Sequence, residues 1–317
     1  MLSRLFCLLF TGFLLVMTIQ FPDRCADAVQ SGLTLCLTRA IPSLFPFFVV
    51  SALTVRSGLA DALAHLLAPL MRLYRLPGAG VSALLLSFLG GYPSGAQTVS
   101  ELLDSESITL DDAQRLIVFC NNTGPAFLIG FCGQGVFHSL SVGLYLYIIH
   151  VLSACLCGLF VRGKSSASAA PVTHSMPPFS ACLTTAVLQA GRTMLSVCSF
   201  VLTFSVLIAL LTPLPLWHFL VQRLTALLPL SAVTVQALLS GFLELTTGLS
   251  SLSASPDSLP IRLLLCSILC AFGGVSVLFQ SAAAAPRLPF PRILLGKTLH
   301  AVLAAILTLF LLPIGPF

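Results

Sequence analysis

The sequence predicts an all-α, polytopic membrane protein whose two similar halves contain Gly/Pro-broken and re-entrant helices, as in transporters. The first observation behind this prediction is the composition: of 317 residues, 57% are hydrophobic and only 8% are charged. A soluble domain carries about 25% charged residues, so this chain cannot cover a water-facing surface. High hydrophobicity and low charge also exclude a disordered chain.

The net charge of +5 is spread thinly along the chain. No basic patch is dense enough to follow a phosphate backbone, which excludes nucleic acid as a partner. The lipid bilayer is the expected partner, a small polar solute or ion is a second, and a homo-oligomer stays open. No cofactor-binding motif is present.

The second observation is a series of apolar segments, several of them near the roughly 20 residues that a membrane span requires. The first segment lies between Arg4 and Ala26-Asp27-Ala28, an arrangement that imitates a secretory signal with its cleavage site. We expect an uncleaved first helix, because the rest of the chain is membrane-embedded as well. In chain order the segments are 2–21, 41–55, 79–93, 116–132, 136–161, 193–212, 216–230, 233–253, 261–285 and 293–315.

Two stretches between these segments mix charged and apolar residues. Residues 22–40 predict an interfacial helix or the start of the next span, and residues 57–78 have the same character, ending at Pro77-Gly78. Basic residues occur in nearly every connection, so the positive-inside rule assigns no orientation. Those residues are Arg72, Arg75, Arg162, Lys164, Arg287, Arg292 and Lys297.

Two polar islands interrupt the apolar pattern. Residues 101–112 hold five of the ten acidic residues, and Thr109 is placed to cap a helix that has Asp111 and Asp112 in its first turn. Residues 163–178 are rich in Ser, Ala and Pro, which is typical of a linker.

The third observation is a weak internal repeat on either side of this linker. The pattern Leu-Leu-Ser followed by Gly occurs at 85–95 and again at 238–248, and Cys-x3-Gly-x3-Leu occurs at 120–128 and again at 270–278. Interrupted helices in corresponding places of two halves are typical of a transporter site. The predicted organisation is an N-terminal membrane helix with an interfacial helix (1–40), a first repeat (41–162), the linker (163–178) and a second, more divergent repeat (179–317).

The first candidate site lies where glycine and proline interrupt a membrane helix. Broken backbone survives in lipid only where protein or a water-filled cavity satisfies it, and the residues after Pro93 can begin a half-helix with free N–H groups. This arrangement suits an anion or polar ligand, and the alternative is a tight turn packed against a neighbouring helix. The candidate ligand-binding residues are Gly91, Tyr92, Pro93, Ser94, Gly95 and Gln97.

Asn121, Asn122 and Thr123 form the second candidate site, directly before the helix-breaking Gly124-Pro125. Amides offer both donors and acceptors, which suits a neutral polar solute such as a sugar, base or nucleoside, or a desolvated cation. The alternative is hydrogen bonding between helices, which is ordinary in membranes.

Glu244 is the third candidate, and Thr247 accompanies it. Apart from Asp257, Glu244 is the only acid after residue 112. A charge inside a bilayer costs at least about 2.5 kcal/mol, so such a residue is usually functional or paired. Glu244 could bind a coupling cation, carry a proton, or pair with Arg192 or Arg223.

The remaining chemistry-bearing residues predict no site. His150 and His300 lie in apolar segments without metal-ligand spacing, which favours histidines with ordinary helix partners. The eleven cysteines include no zinc-type pairs and are interpreted as small apolar helix residues. No catalytic motif is present, so we expect neither an enzyme nor a metal site.

Four motifs occur in a fixed order: Ser43-Leu44-Phe45-Pro46-Phe47-Phe48, Arg75-Leu76-Pro77-Gly78, Gly90-Gly91-Tyr92-Pro93-Ser94-Gly95-Ala96 and Asn121-Asn122-Thr123-Gly124-Pro125-Ala126-Phe127. Their content and order resemble the sporulation integral membrane protein family of the YlbJ type, which carries the nucleoside-recognition Gate domain. The resemblance is strongest from 41 to 160. It implies a bacterial cell-membrane protein of endospore formers with the Gate fold shared by concentrative nucleoside transporters and ferrous-iron permeases.

Two functions stay open. The first is a transporter or channel-like protein for a small polar solute, nucleoside-like or a cation, with residues 91–97, 121–123 and 244–247 lining a cavity near the bilayer midplane. The second is a non-transporting membrane scaffold that recruits or stabilises other sporulation proteins. A scaffold would use loops, and residues 101–112 and 163–178 are the only sizeable polar ones.

Overall fold

A computed structural model describes residues 2–56, 59–163 and 178–315. Within these ranges the chain forms helices and no strand, which confirms the predicted all-α architecture. Residues 164–177, nearly all of the predicted linker, lie outside the described residues.

Within each described range the helices follow one another with short connections. Two π-helical stretches, Cys36–Ala40 and Ala126–Val136, are part of this succession, and a 3₁₀ turn, Leu312–Ile314, ends it. The α-helices are α1 (Leu2–Gln20), α2 (Pro22–Leu35), α3 (Ile41–Arg56), α4 (Leu59–Tyr74), α5 (Gly80–Gly90), α6 (Ser94–Asp104), α7 (Leu110–Leu116), α8 (Leu140–Phe160), α9 (Phe179–Leu211), α10 (Pro215–Leu227), α11 (Ala232–Leu243), α12 (Leu245–Leu252), α13 (Leu259–Phe272), α14 (Gly274–Ala284) and α15 (Phe290–Leu311).

Five helical stretches of the described chain are long and apolar enough to cross a membrane, which confirms a multi-pass membrane protein. The pair α10 and α11 together would pass the same test, but a bend of 120° separates the two helices. The five stretches are Pro22–Thr54, Leu140–Phe160, Phe179–Leu211, Leu259–Ala284 and Phe290–Ile314.

Two helices extend further than the apolar segments identified in the sequence. Residues 22–40 join α3 in one continuous stretch, so they begin the next span rather than forming a separate interfacial helix. The helix predicted from residue 193 begins already at Phe179. Its hydroxyl residues are accommodated because they bond to the carbonyl one turn earlier, as Thr185 Oγ1 does to Ala181 at 2.7 Å.

Four breaks interrupt the helices that build the centre of the protein. α5 gives way to α6 at residues 91–93, and the chain leaves helical structure again between α7 and the π-helix, at 120–124. α11 ends and α12 begins at Glu244, and Gly273 separates α13 from α14. Each half of the chain contains two of these four breaks. The internal repeat itself stays a prediction.

Glycines allow the broken segments to cross at backbone distance. A Cβ on Gly91, which has φ +70°, would lie 2.7 Å from the backbone nitrogen of Gly124. In the second half a Cβ on Gly248 would lie 2.1 Å from the Cα of Gly241. Because no side chain fits at either contact, only glycine is tolerated where the breaks at 91–93 and 120–124 meet in the first half, and where α11 packs on α12 beside Glu244 in the second.

Candidate functional site

The breaks of the two halves meet at the carbonyl oxygen of Cys270. The Tyr92 hydroxyl donates to this oxygen at 2.9 Å, and the Thr123 hydroxyl donates to it at 2.8 Å. Cys270 lies in the last turn of α13, where carbonyls lose their helical partners because Gly273 ends the helix. Side chains from two of the candidate sites thereby donate hydrogen bonds to a backbone carbonyl that has lost its helical partner at a third break.

A cavity lies beside this junction, with an empty volume of about 520 Å³ that includes its open mouth. Its apolar wall comes from α3, α9, α14 and the start of the π-helix, and includes Leu44, Phe48, Phe127, Val197, Val201 and Val277. Its polar residues come from the breaks and from α14, and they are Tyr92, Thr123, Glu244, Thr246 and Gln280. An apolar pocket with a few polar groups is the usual form of a small-molecule site.

Glu244 lies at the N-terminus of α12 rather than within a continuous helix. Its carboxylate accepts hydrogen bonds from the backbone N–H groups of Thr246 at 3.0 Å and Thr247 at 2.6 Å. Neither Arg192 nor Arg223 pairs with it within the described ranges. The positive end of α12 therefore supports this buried acid, and the carboxylate also borders the cavity.

Gln280 is a cavity residue that sequence reasoning missed. It is 7% exposed and lines the cavity. A buried amide needs hydrogen-bond partners, which a solute or water in the cavity can supply. Its only signal in the sequence is a single amide in the helical stretch 274–284, which is otherwise small and apolar apart from two serines.

Lys297 was assigned to a connection from its sequence, and that assignment is wrong. The residue lies inside α15 and is 2% exposed. Its ammonium donates to the Tyr92 hydroxyl at 2.6 Å and to the carbonyl oxygen of Asn121, and it lies 3.9 Å from the centre of the Tyr92 ring. No carboxylate of the described chain is within ion-pair distance of this ammonium. Tyr92 lines the cavity and contacts Lys297, so its side chain separates the buried cation from the cavity.

His150 and His300 pack against each other behind the same junction, with their ring centres 4.3 Å apart. His150 Nε2 accepts from the backbone N–H of Thr123 at 2.9 Å. His300 Nε2 donates to the carbonyl oxygen of His150 at 3.0 Å and lies 2.9 Å from the Ser153 hydroxyl. Both rings therefore have ordinary hydrogen-bond partners, and they connect α8 to α15.

Asn121 and Asn122 are buried but do not line the cavity. Asn121 Nδ2 donates to the Ser281 hydroxyl at 2.9 Å, and Asn122 Nδ2 donates to the Ser87 hydroxyl at 2.9 Å. The amide nitrogens of both side chains thus bond to serines of other helices, whereas Asn122 Oδ1 is buried without a hydrogen-bond partner in the described part of the chain. Of the three residues in this motif, only Thr123 contacts the cavity.

The residues of the first candidate site diverge in space. Gly91 and Tyr92 line the cavity, and α6 begins at Ser94 directly after Pro93, as expected for a half-helix. Gly95 lies against the carbonyl of Cys120 instead of the cavity. Gln97 points outward, where its amide donates to Glu101 at 2.9 Å.

Thr247 faces a second, wider space, the outer groove, with an empty volume of about 1090 Å³ including its open side. The outer groove lies between α2, α9 and α12, and hydroxyls supply much of its polar lining: Ser31, Ser205, Thr212, Thr247, Ser250 and Ser251. Since Thr246 lines the cavity and Thr247 lines the groove, the first turn of α12 is the partition between the two.

The loop after α12 carries one acidic residue, Asp257. Asp257 Oδ2 accepts from the backbone N–H and the hydroxyl of Ser231, both at 3.0 Å. The hydrogen bonds from the Thr234 hydroxyl and the Ser231 N–H lower the pKa of the Asp257 carboxyl below its ordinary value. The charged carboxylate thereby ties this loop to the start of α11.

Comparison with known proteins agrees with this architecture. Residues 37–168 match the Gate family model, which is described as nucleoside recognition. Across 98% of its length the chain is also 29% identical to the sporulation integral membrane protein YlbJ of Bacillus subtilis, of which the match covers 84%. The resemblance to YlbJ-type membrane proteins is therefore confirmed.

The Gate match contains the junction residues Tyr92 and Thr123. Glu244, Gln280 and Lys297 lie beyond it, in the second half of the chain. The cavity therefore combines residues inside the Gate match with residues beyond it.

Proposed function

We propose that this Gate-domain protein is a membrane transporter or channel-like protein for a small polar solute, and that it acts in sporulation as its YlbJ relative's name indicates. The cavity at the junction of the broken helices is the observation that carries the proposal. Broken helices around a solute site are the arrangement expected of transporters, because they expose backbone and polar groups inside the bilayer.

The lining of the cavity favours a neutral, nucleoside-like solute. Phe48 and Phe127 offer an apolar surface against which a ring can pack, and the Gln280 amide offers both a donor and an acceptor. The Glu244 carboxylate already accepts two backbone hydrogen bonds, so its charge is balanced by the α12 N-terminus. A cation is the alternative occupant, and it would bind at the remaining lone pairs of this carboxylate.

The outer groove supplies a route to the cavity. Its hydroxyl-lined walls are suited to a hydrated solute, and one turn of α12 separates it from the polar side of the cavity. Movement of that turn would connect the two spaces. Such gating by a half-helix agrees with a transporter and has no role in a scaffold.

A scaffold function gains no support from the described loops. The predicted polar island 101–112 is mostly helix, and its connection between α6 and α7 is only five residues long. The capping box of Thr109 and Asp112 holds that connection in place. The other candidate loop falls on residues outside the described ranges.

A solute-stabilisation screen on the detergent-purified protein tests the proposal. Nucleosides, bases, small organic acids and divalent cations are added separately, and the apparent melting temperature is measured. A solute present at 100 times its Kd stabilises the folded state by about 2.7 kcal/mol. We expect a nucleoside to raise the melting temperature of the wild type, and the same labelled nucleoside to enter proteoliposomes.

Two glutamine variants locate the site. Gln280→Ala removes an amide that lines the cavity, whereas Gln97→Ala removes one that points outward. We expect the first variant to lose the response to the solute and the second to keep it. The proposal fails if no solute stabilises the wild type, or if both variants respond alike.

A further inference from the structure

Three cysteines that are far apart in the sequence lie together in the core. Cys132 belongs to the π-helix 126–136, and Cys266 and Cys270 are one turn apart on α13. The Cys132 and Cys270 sulfurs are 3.8 Å apart, the Cys266 and Cys270 sulfurs are 4.0 Å apart, and all three lie within 4.8 Å of one another. Each residue is 0% exposed, and each thiol is free.

These distances suit a shared metal ion. A sulfur pair in a disulfide is about 2.05 Å apart, so the cysteines are too far apart to be oxidised without movement. A metal about 2.3 Å from each of three sulfurs holds them about 4.0 Å apart in a plane. Two of the three separations, 3.8 and 4.0 Å, match that arrangement, and the third, between the Cys132 and Cys266 sulfurs, is within 4.8 Å.

The surroundings select the kind of metal. The three cysteines belong to a buried apolar core cluster that also includes Leu128, Ile149, Leu263 and Leu269. Zn²⁺ takes four ligands in structural sites, and a fourth oxygen or nitrogen ligand is missing from the group that the described residues form. Soft thiolates suit Cu(I), zinc and iron–sulfur clusters, and because structural zinc sites and iron–sulfur clusters use four protein ligands, a group of three thiols favours Cu(I).

We propose that Cys132, Cys266 and Cys270 form a three-sulfur binding site for Cu(I). Each thiol that becomes a thiolate on binding releases its proton, so loading is accompanied by proton release. The metal would connect the π-helix of the first half to α13 of the second half. It would also sit next to the solute junction, because the carbonyl of Cys270 accepts the Tyr92 and Thr123 hydroxyls.

The test is an anaerobic titration of the reduced, purified protein with Cu(I) in the presence of a chromogenic Cu(I) chelator. We expect one equivalent of Cu(I) to be held against the chelator, with X-ray absorption showing three sulfur neighbours at about 2.3 Å. Cys132→Ser, Cys266→Ser and Cys270→Ser are each expected to weaken binding by more than about 100-fold, since they remove a direct ligand. Cys157→Ser, which alters a fully buried cysteine outside the group, is the matched control and should bind as wild type does.

The wild-type X-ray absorption result stands even if a serine variant folds poorly. Failure to hold Cu(I) against the chelator overturns the proposal, and so does equal binding by the variants, because the thiols then only pack as small apolar groups. Preferential retention of Zn²⁺ with an oxygen or nitrogen ligand also overturns it. None of these outcomes depends on the solute, so the copper site and the proposed transport function can fail separately.

Discussion

The crossing of α6 with the break after α7 makes Gly95→Ala the sharpest test of the architecture. A Cβ at this position would lie 2.0 Å from the carbonyl oxygen of Cys120 and 2.6 Å from the Cβ of Ser87. Ordinary contacts begin at 3.4 Å, and neither obstacle is the far end of a flexible side chain. The backbones must therefore separate for the methyl group to fit.

The magnitude follows from two opposing terms. Overpacking a tight site typically costs 1–3 kcal/mol, and we take about 3 kcal/mol here because the main obstacle is backbone. Replacing a helical glycine by alanine returns up to about 1 kcal/mol. The expected net loss is about 2 kcal/mol or more, together with loss of solute binding, because Gly95 holds the two cavity-forming breaks together.

Gly191→Ala is the matched control. Gly191 lies inside α9, and a Cβ there meets nothing within 4 Å. Only the helix-propensity gain applies, so this variant should be unchanged or slightly more stable.

The stability of both variants is measured by thermal unfolding in detergent with a thiol-reactive dye. The dye reports unfolding because most of the eleven cysteines are buried in the folded protein. Gly95→Ala should lower the apparent melting temperature by on the order of 5 °C. Equal melting temperatures for Gly95→Ala and wild type would refute the backbone crossing. So would equal destabilisation by both variants.

Three further predictions address single side chains. Lys297→Met removes a buried cation that has no carboxylate partner in the described chain. The melting temperature of this variant should therefore not fall, whereas its solute binding should be lost. A variant that unfolds would contradict this prediction. Glu244→Gln replaces one of two acceptor oxygens by an N–H donor, so stability should fall by about 1.5–3 kcal/mol, measured by the same melting assay. Asp257 has a lowered pKa, so its stabilisation is present above the ordinary carboxyl range and is lost as the pH falls through its folded-state value. Asp257→Asn should therefore be less stable than wild type at pH 7, and the difference in melting temperature should shrink as the pH is lowered below the ordinary carboxyl range.

Local features of this chain were predictable because they depend on neighbouring residues. The start of α6 at Ser94 follows from the helix-breaking Gly-Gly-Tyr-Pro run, and the capping box of Thr109 and Asp112 follows from residue types three positions apart. The polar lining from Tyr92, Thr123 and Glu244 was also among the predicted candidates. These positions are recognisable because polar or helix-breaking residues are unusual in apolar surroundings.

Other parts of the site have no local signal. Lys297 stands close to Arg292 and was counted with the loop cations, although its α15 position directs it into the core. The amide nitrogens of the two asparagines bond to Ser281 and Ser87, and no local pattern in the sequence indicates these partners. The thiol group requires Cys132 to meet residues more than 130 positions away.

By itself, the sequence determined that this chain is a multi-pass membrane protein and that its helices break near Pro93 and Gly124, because hydropathy and the backbone restrictions of glycine and proline act over a few residues. Only the tertiary structure decided which broken ends meet. The Tyr92 hydroxyl and the Cys270 carbonyl are 178 positions apart, and their contact depends on how two halves pack at glycine crossings. Such packing depends on the shapes of distant segments and on the distance between them, and neither can be read from the residues of one segment alone.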